Sequence, residues 1–341
     1  FTDVVGINPA FVGTLFLMAR LWDAINDPIM GMIVDNTRSR FGKFRPWIFI
    51  GTILNSVVLF LLFRKPDLEG TSLYLYYSVM YILWGMTYTI MDIPYWSMIP
   101  TLATTKEDRE KISVVPRIFA SLGGLTVTTF GIALVNKLGN GNQIKGFEYF
   151  ALGIVIIFII STIVTCINVK EKTQVQVNNE KVNIKQAFNI LKQNDQLLVF
   201  IGIVLAYNLA MQLAGGAAIY YFKYVAGKES LFSLYSFFKV AEIGGLMLFP
   251  VVTRKIGRQQ VFRVATILPM FGLITLFISG LIAPQSILFI SVSAVLLNLG
   301  SGFLLGSTTV MLADIVDYGE YKLGSRNESI IFSAQTLLVK L

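Results

Sequence analysis

The sequence contains no histidine, a single cysteine and few charged residues. The lack of histidine removes the usual side chain of zinc sites, proton relays and serine–histidine catalysis. The one cysteine, Cys166, cannot form a disulfide within the chain. Charged residues make up only 14% of the 341 residues, whereas a soluble domain has about 25%. With 55% hydrophobic residues, this composition predicts an integral membrane protein.

Long apolar runs account for the hydrophobic composition. Their length predicts helices, because a transmembrane barrel alternates polar and apolar residues in short segments. Nine runs are long enough to cross a bilayer and a tenth is cut short at the end of the chain. They cover about 11–34, 47–63, 72–102, 113–136, 148–169, 196–222, 230–253, 261–283, 286–312 and 329 onward. We therefore predict an all-α, multi-pass protein of the cytoplasmic membrane.

Lysine and arginine are concentrated in alternate loops between the runs. The positive-inside rule places these loops in the cytoplasm, and anionic headgroups complement them. The net charge of +8 is explained in this way, and no nucleic-acid-binding pattern accompanies it. In this orientation Phe1 lies outside the cell. One further span before Phe1 would place the start of the chain in the cytoplasm.

The longest polar stretch, 170–195, divides the runs into two groups of five. A short basic loop containing glycine occurs in each group, at 40–43 and at 255–258. The two loops take equivalent places if one span is restored at each end, which gives the two-half plan of a secondary transporter. We therefore expect two six-helix halves, with helix 1, part of helix 11 and helix 12 missing here. The predicted parts are 1–170 (helices 2–6), a cytoplasmic linker at 171–195 with a short surface helix at 182–192, and 196–341 (helices 7–10 and part of 11).

The first apolar run carries Arg20, Asp23 and Asp27, although an ionised side chain at mid-membrane costs about 2.5 to 3.5 kcal/mol. Their spacing puts all three on one stripe of a helix, which must face protein or water. Two carboxylates one turn apart repel each other, so at least one needs a proton or a metal cation. Asn26 adds a carbonyl oxygen, and Pro28 frees backbone carbonyls nearby. We predict a cation path; the alternative is a structural Arg20–Asp23 pair, which leaves Asp27 uncompensated on its own helix.

The third run contains Tyr88, Asp92 and Trp96 at intervals of four residues, so hydroxyl, carboxylate and indole share one helix face. Such groups bind sugars because apolar C–H faces stack on an aromatic ring while the acid accepts from hydroxyls. We predict a sugar site here; the alternative is an interfacial aromatic beside a structural acid. Arg117, just inside the fourth run, either extends to the cytoplasm or bonds substrate hydroxyls and Asp92.

The remaining charges are assigned to structure. Lys239 and Glu242, three residues apart in the seventh run, are expected to neutralise each other. The basic loop at 38–45 is expected to pair with acids of neighbouring helices. A cytoplasmic salt-bridge latch is expected from Asp314, Asp317, Glu320, Lys322 and Arg326. No nucleophile lies beside a base, so the sequence does not predict an enzyme.

Four segments carry a resemblance to a known family. They read Arg20-Leu-Trp22-Asp23-Ala-Ile-Asn26-Asp27-Pro28, Gly42-Lys43-Phe-Arg45-Pro46-Trp47, Trp84-Gly-Met-Thr-Tyr88-Thr89-Ile-Met-Asp92-Ile-Pro94 and Ala313-Asp-Ile-Val-Asp-Tyr-Gly-Glu-Tyr-Lys322. The first two resemble the glycoside–pentoside–hexuronide:cation symporters of the major facilitator superfamily. The last two are most similar to melibiose-transporting members of that family, and the similarity runs essentially end to end.

The resemblance implies which residues bind the ligands. The implied cation site is Asp23, Asn26, Asp27 and Thr89. The implied sugar site is Tyr88, Asp92, Trp96, Arg117, Leu305, Gln335, Thr336 and Lys340. The sequence departs from the family in lacking its helix 1, whose Lys–Asp pair reaches the sugar. It also has Leu305 where melibiose-transporting members have tryptophan, so the resemblance leaves the preferred sugar open.

The function implied is symport of a glycoside, such as the α-galactoside melibiose, with Na⁺, Li⁺ or H⁺ by alternating access. The carried sugar could instead be a β-galactoside, a pentoside or a hexuronide. An alternative of another class is a membrane sugar sensor that binds without translocating. The implied partners are a glycoside, a monovalent cation and membrane lipid, with no cofactor and no nucleic acid. The sequence does not indicate whether a regulatory protein binds the cytoplasmic face.

Overall fold

The computed structural model describes residues 1–103, 105–169, 171, 182–228 and 230–340, and only the backbone of 3, 106, 339 and 340. All regular structure in these residues is helical. The helices are α1 (Thr2–Val5), α2 (Pro9–Asp35), α3 (Arg45–Phe63), α4 (Thr71–Ser97), α5 (Ile99–Leu102), α6 (Lys106–Leu138), α7 (Gln143–Asn168), α8 (Ile184–Gln193), α9 (Asp195–Tyr220), α10 (Ser230–Phe237), α11 (Val240–Ile256), α12 (Arg258–Ile282), α13 (Ile287–Leu323) and α14 (Glu328–Lys340). A π-helical turn, Tyr221–Val225, extends α9.

Each predicted apolar run contains a helix, and within the described residues seven spans have the length and hydropathy needed to cross a membrane. Several predicted extents differ from the helices. The third run is divided between α4 and α5, and α6 begins at Lys106, before the start predicted for the fourth run. The ninth run does not end near 312, because buried Ala313 and Val316 continue one face of α13 toward Leu323. The seventh run is not one helix, since it is interrupted between α10 and α11.

The short surface helix predicted at 182–192 is confirmed as α8. It begins with a capping box, in which the Asn183 side chain accepts from the Gln186 amide and the Gln186 side chain accepts from the Asn183 amide. Residues 172–181 of the predicted linker lie outside the described residues.

The described chain forms two compact units. The first comprises 1–102, 128–201 and 315–341, and the second comprises 103–127 and 202–314. Helices α6, α9 and α13 therefore contribute residues to both. The division into halves at 170 and 196 rests on the sequence pattern and stays a prediction.

In the first unit, α14 packs on α2 and α4, and α3 packs on α4 and α7. The closest approach of α2 and α14 is at Gly31, where a Cβ atom would lie 2.6 Å from the carbonyl oxygen of Ser329. Asp35, the last residue of α2, accepts from the backbone N–H groups of Ser329 (3.1 Å) and Ile330 (2.9 Å). These amides belong to the first turn of α14, which has no helical acceptor and attracts negative charge. The C-terminal end of α2 therefore caps α14.

Lys43 joins the same two helices. Its ammonium lies 2.7 Å from a carboxylate oxygen of Asp35 and 2.7 Å from one of Glu328. Burial opposes the charge on Lys43, but the two carboxylates outweigh burial, so the pKa of Lys43 lies above its ordinary value. The expected pairing of the basic loop with neighbouring acids is thus confirmed at Lys43.

Glu171 fixes the backbone of this loop. Its carboxylate accepts from three successive amides, those of Lys43 (2.6 Å), Phe44 (3.0 Å) and Arg45 (2.8 Å). The amides lie at the N-terminus of α3, where an anion is favoured. Gly42 has φ +104° and no room for a Cβ beside this carboxylate, so only glycine fits there without strain.

The predicted cytoplasmic latch is confirmed in part. Arg326 bonds Asp317 at 2.9 Å and also bonds Glu320. Lys322 was assigned the wrong partner, since it bonds Asp195 at the start of α9. Tyr318, one turn before Lys322, donates to the same Asp195 carboxylate.

In the second unit, α11, α12 and α13 surround a core that includes Leu246, Phe249 and Val261. Asp314 was also assigned to the latch, but it accepts from Arg109 at 2.7 Å and from Arg258 at 2.9 Å. Its partners therefore come from α6 and α12 of its own unit.

We expect Gly31→Ala to destabilise the packing of α14 on α2. The added methyl group meets the rigid backbone of Ser329, and overpacking of this kind costs about 1–3 kcal/mol. The melting temperature of the purified protein should therefore fall. Gly13→Ala is the matched control on the same helix, because a Cβ there meets nothing within 4 Å. Equal melting temperatures for the two variants would contradict this packing.

We expect Lys43→Gln to lower the melting temperature strongly, because it leaves the carboxylates of Asp35 and Glu328 facing each other. Removing one partner of a buried ion pair costs about 3–5 kcal/mol. Adding Asp35→Asn should recover part of the loss by removing the repulsion, because Glu328 keeps Arg326 as its partner at 2.6 Å. Lys65→Gln in an exposed loop should have little effect. A double variant no more stable than Lys43→Gln alone would show that charge repulsion is not the cause.

Candidate functional site

The charged stripe of α2 lies inside the first unit. Asp27 has no exposed surface and Asp23 is 3% exposed. The Arg20 guanidinium lies 3.3 Å from a carboxylate oxygen of Asp23, so the Arg20–Asp23 pair considered in the sequence is present. A narrow crevice lined by Arg20, Tyr81, Trp84 and other residues opens beside Asp23.

Thr89 of α4 contacts Asp27. Its hydroxyl lies 2.9 Å from Asp27 Oδ1 and 3.0 Å from the carbonyl oxygen of Gly85. A threonine hydroxyl has one hydrogen, so it donates to only one of these acceptors at a time. When it donates to Gly85, its oxygen lone pairs are available to a cation at Asp27.

Two further oxygen donors lie on the same part of α2. Pro28 is buried within the helix and has no N–H, so the carbonyl of Ala24 loses its usual helical donor. Asn26 carries an amide whose Nδ2 is buried and, among the described residues, has no hydrogen-bond partner. The contact that the structure shows is between Asp27 and Thr89, which together offer carboxylate and hydroxyl oxygens of the kind that alkali cations use.

Asp92 lies on α4 one turn beyond Thr89. It is 8% exposed, and its two oxygens accept from different helices. The indole Nε1 of Trp96 donates to Oδ1 at 3.0 Å, and the Thr336 hydroxyl of α14 donates to Oδ2 at 3.3 Å. The structure therefore brings together three of the sugar-site residues predicted from the sequence.

The other sugar-site residues of the first unit are placed as follows. Tyr88 is 37% exposed, and its ring centroid lies 6.3 Å from that of Trp84. Gln335 is buried on α14, and within the described chain its Oε1 has no hydrogen-bond partner. Lys340 ends α14, but its side chain lies outside the described residues.

Arg117 and Leu305 belong to the second unit. Arg117 Nε donates to the Thr309 hydroxyl at 3.2 Å, and that hydroxyl donates to the Leu305 carbonyl at 2.9 Å. Leu305 is half-buried against the core that includes Phe249. Thr309 was missed in the sequence, where its only signal is its position one turn after Leu305. Both interpretations of Arg117 stay open.

The expected neutralisation of Lys239 by Glu242 was wrong. No ion pair joins the two side chains in the described part of the chain, and the Glu242 carboxylate accepts from the Ser121 hydroxyl at 2.9 Å. The reason is that the Glu242 carboxylate, in the first turn of α11, is directed to Ser121 of α6 instead of to Lys239.

Comparison with known proteins agrees with this fold. Residues 1–341 match the pattern of a family described as MFS/sugar transport protein. The isoprimeverose transporter of Lactiplantibacillus pentosus is 30% identical over 342 residues, covering 100% of this chain and 71% of that protein. The inner membrane symporter YicJ of Escherichia coli (strain K12) is 30% identical, covering 100% and 73%. The raffinose carrier protein of Pediococcus pentosaceus is 28% identical, covering 97% and 53%.

Solved structures with similar folds are also membrane transporters. The outward conformation of FucP, a major facilitator superfamily transporter, has a TM-score of 0.60 at 14% identity, covering 98% of this chain and 88% of that one. The proton:xylose symporter XylE bound to 6-bromo-6-deoxy-D-glucose has a TM-score of 0.58 at 13% identity, covering 100% and 87%. At these identities the likeness shows the fold alone.

The chain is therefore a multi-pass protein of the cell membrane with the major facilitator fold. The match to the family pattern spans all residues of the chain, and a relative is 30% identical over the whole length of this chain. As its resemblance to the glycoside–pentoside–hexuronide:cation symporters implied, the chain belongs to the MFS/sugar transport protein family.

Proposed function

We propose that the protein is a secondary active transporter that moves a glycoside together with a monovalent cation. The observation that carries the proposal is that one turn of α4 contains a residue of the proposed cation site and a residue of the proposed sugar site. Thr89 contacts Asp27 of α2, and Asp92 contacts Thr336 of α14. A cation bound at Asp27 and a sugar bound at Asp92 would both act on the position of α4.

The coupling follows from electrostatics. An ionised carboxylate in a poorly hydrated bundle is costly, so a cation at Asp27 stabilises the packing of α4 on α2. The Thr89 hydroxyl then donates to Gly85 and turns its oxygen toward the cation. With α4 in place, Asp92 and Trp96 present a carboxylate and an indole to a sugar ring. The two ligands therefore raise each other's affinity by the same factor.

Transport would proceed by alternating access, in which the helical halves expose one site to each side of the membrane in turn. The coupling ion is Na⁺, Li⁺ or H⁺, because the donors at Asp27 are hard oxygens and protonatable carboxylates. The sensor alternative is tested by counterflow of labelled sugar in vesicles loaded with unlabelled sugar. Binding without counterflow would indicate a sensor.

For the substrate we propose an α-galactoside such as melibiose. The similarity of the segments at 84–94 and 313–322 to melibiose-transporting members supports this choice. The relatives named for raffinose, lactose and isoprimeverose support a glycoside in general. Leu305 in place of tryptophan favours a broader preference, since leucine leaves more room and offers no stacking face.

We expect Asp92→Asn to weaken sugar binding by roughly 10- to 150-fold. It removes a charge-assisted hydrogen bond from a water-poor site, worth about 1.5–3 kcal/mol. The measurement is equilibrium binding of a radiolabelled galactoside to the purified carrier in saturating Na⁺. Asp67→Asn, in an exposed loop, is the control. Unchanged affinity in Asp92→Asn would place the sugar elsewhere.

We expect Asp27→Asn to keep some sugar binding but to lose its stimulation by Na⁺, Li⁺ and low pH. Asparagine preserves size and one carbonyl oxygen but removes the charge that the cation neutralises. Sugar affinity is measured with and without Na⁺ across a pH series, and accumulation against a gradient is measured in vesicles. Asp23→Asn should lose less of the stimulation by cations, because Arg20 pairs with Asp23. A wild-type gain in affinity on adding Na⁺ to Asp27→Asn would overturn the coupling scheme.

A further inference from the structure

Helix α8 of the first unit carries apolar side chains that the protein does not cover. At about 100° per residue, Ala187, Ile190 and Leu191 lie on one side of the helix. Ala187 is buried and the other two are partly buried, in agreement with the packing of α8 on α2 and α14. Ile184 and Phe188 lie beside this side of the helix and are 51% and 46% exposed. Only part of the apolar surface of α8 is therefore used in packing.

The exposed surface of α8 changes in character around the helix axis. Next to Ile184 and Phe188 come the side chains of Lys192 and Lys185, both exposed. Within the described residues, neither ammonium has a carboxylate partner. Beyond the lysines, opposite the packed side, the helix presents only amide side chains, those of Gln186, Asn189 and Gln193. This order is typical of a helix in a membrane interface, because lysine extends its ammonium to the headgroups beside inserted apolar residues.

The place of α8 in the chain puts it at the edge of the membrane. Asn194 alone separates α8 from α9, and the span Asp195–Val225 has the length and hydropathy of a membrane crossing. The Asn194 side chain accepts from the Leu197 amide at 3.1 Å and donates to the Ile315 carbonyl at 3.3 Å. These bonds fix the turn between the two helices, so α8 is held where a span begins.

The residue Val182, just before α8, is bonded to the end of α2. Asn36, the residue after α2, donates to the Val182 carbonyl at 2.6 Å and accepts from the Val182 amide at 2.8 Å. Asn36 follows Asp35, whose carboxylate accepts from the first amides of α14. A partner bound to α8 therefore acts on α2 and α14 through contacts that lie within one unit.

A lipid surface fits the exposed side of α8 better than a protein does. A stable protein partner usually covers about 800 Å² on each side, and two exposed apolar side chains offer far less than that. Lipid requires no such minimum area, because the neighbouring spans already lie in the bilayer. The two lysines attract anionic headgroups, since a basic residue near such a surface is stabilised by its negative potential.

We propose that α8 lies in the headgroup region of the membrane and binds anionic phospholipid there. Ile184 and Phe188 insert among the acyl chains. Lys185 and Lys192 contact the phosphates of the headgroups. This surface is separate from the residues of the proposed cation and sugar sites, so the inference does not depend on which ligand is transported.

Insertion is tested with nitroxide labels on the whole carrier in nanodiscs of phosphatidylcholine with about 30% phosphatidylglycerol as the anionic lipid. In a Cys166→Ala background, one label is attached at Phe188→Cys. The matched control label is attached at Asn189→Cys, the next residue, on the amide side of the helix. Oxygen concentrates among acyl chains, whereas a nickel chelate stays in water. We expect the label at 188 to collide more often with oxygen and the label at 189 to collide more often with the chelate.

Lipid preference is tested with a fluorophore on Asn189→Cys, quenched by spin-labelled phosphatidylglycerol or by spin-labelled phosphatidylcholine. We expect half-quenching at an about tenfold lower fraction of the anionic lipid, because two lysines near the surface favour it. The double variant Lys185→Gln/Lys192→Gln should lower this preference to about twofold or less, and Lys185→Arg/Lys192→Arg should retain it. Lys65→Gln/Lys145→Gln, two exposed lysines away from α8, should leave it unchanged.

Three results would overturn the inference. The labels at 188 and 189 could show the same collision pattern, which would mean that the apolar side is not inserted. The label at 188 could be shielded from both oxygen and the chelate, which would indicate that protein covers this side instead of lipid. The preference for phosphatidylglycerol could be absent, or could survive Lys185→Gln/Lys192→Gln. Melting temperatures equal to that of the unlabelled carrier show that each variant is folded.

Discussion

The acids of α2 must be satisfied inside an apolar helical bundle, and the rest of the first unit is arranged around that constraint. Asp23 pairs with Arg20, Asp27 accepts from Thr89, and Asp35 accepts from Lys43 and from two amides of α14. Each acid has its partner in a different part of the fold. The acids therefore connect α2 to α4 and to α14, in addition to the pair within α2 itself. A helix without these acids would need none of those contacts.

Among these partners, α14 has the largest structural consequence. Its first turn is capped by Asp35 at the cytoplasmic end of α2, and its Thr336 reaches Asp92 further along. The close approach at Gly31 keeps the two helices in register between these points, since their backbones touch there. One helix thus connects a cytoplasmic ion network to the carboxylate assigned to the sugar.

The sequence predicted the helices well because membrane length and hydropathy are local properties. It also predicted that Arg20, Asp23 and Asp27 share a face, since helical periodicity alone decides this. Partners distant in the chain, such as Thr336 for Asp92, could not be predicted by spacing and were named only through a family resemblance. The pairing of Lys239 with Glu242 was wrong for a related reason. It considered only neighbours on one helix, whereas the Glu242 carboxylate bonds Ser121, which is distant in the chain.

Two helices connect the residues of the proposed cation and sugar sites to the ion pairs at Asp35 and Lys43. Helix α4 contacts both α2 and α14, and its groups Thr89 and Asp92 lie within one turn, so a movement of α4 alters both contacts together. At their cytoplasmic ends, α2 and α14 separate only if the hydrogen bonds to Asp35 and the bridge through Lys43 break. A ligand that changes the packing of α2 and α14 on α4 would therefore act on the same two helices that the bonds at Asp35 and Lys43 connect. Under the proposed function, occupancy of the cation and sugar residues and the stability of the bonds at Asp35 and Lys43 would therefore affect each other, whichever ligand binds first.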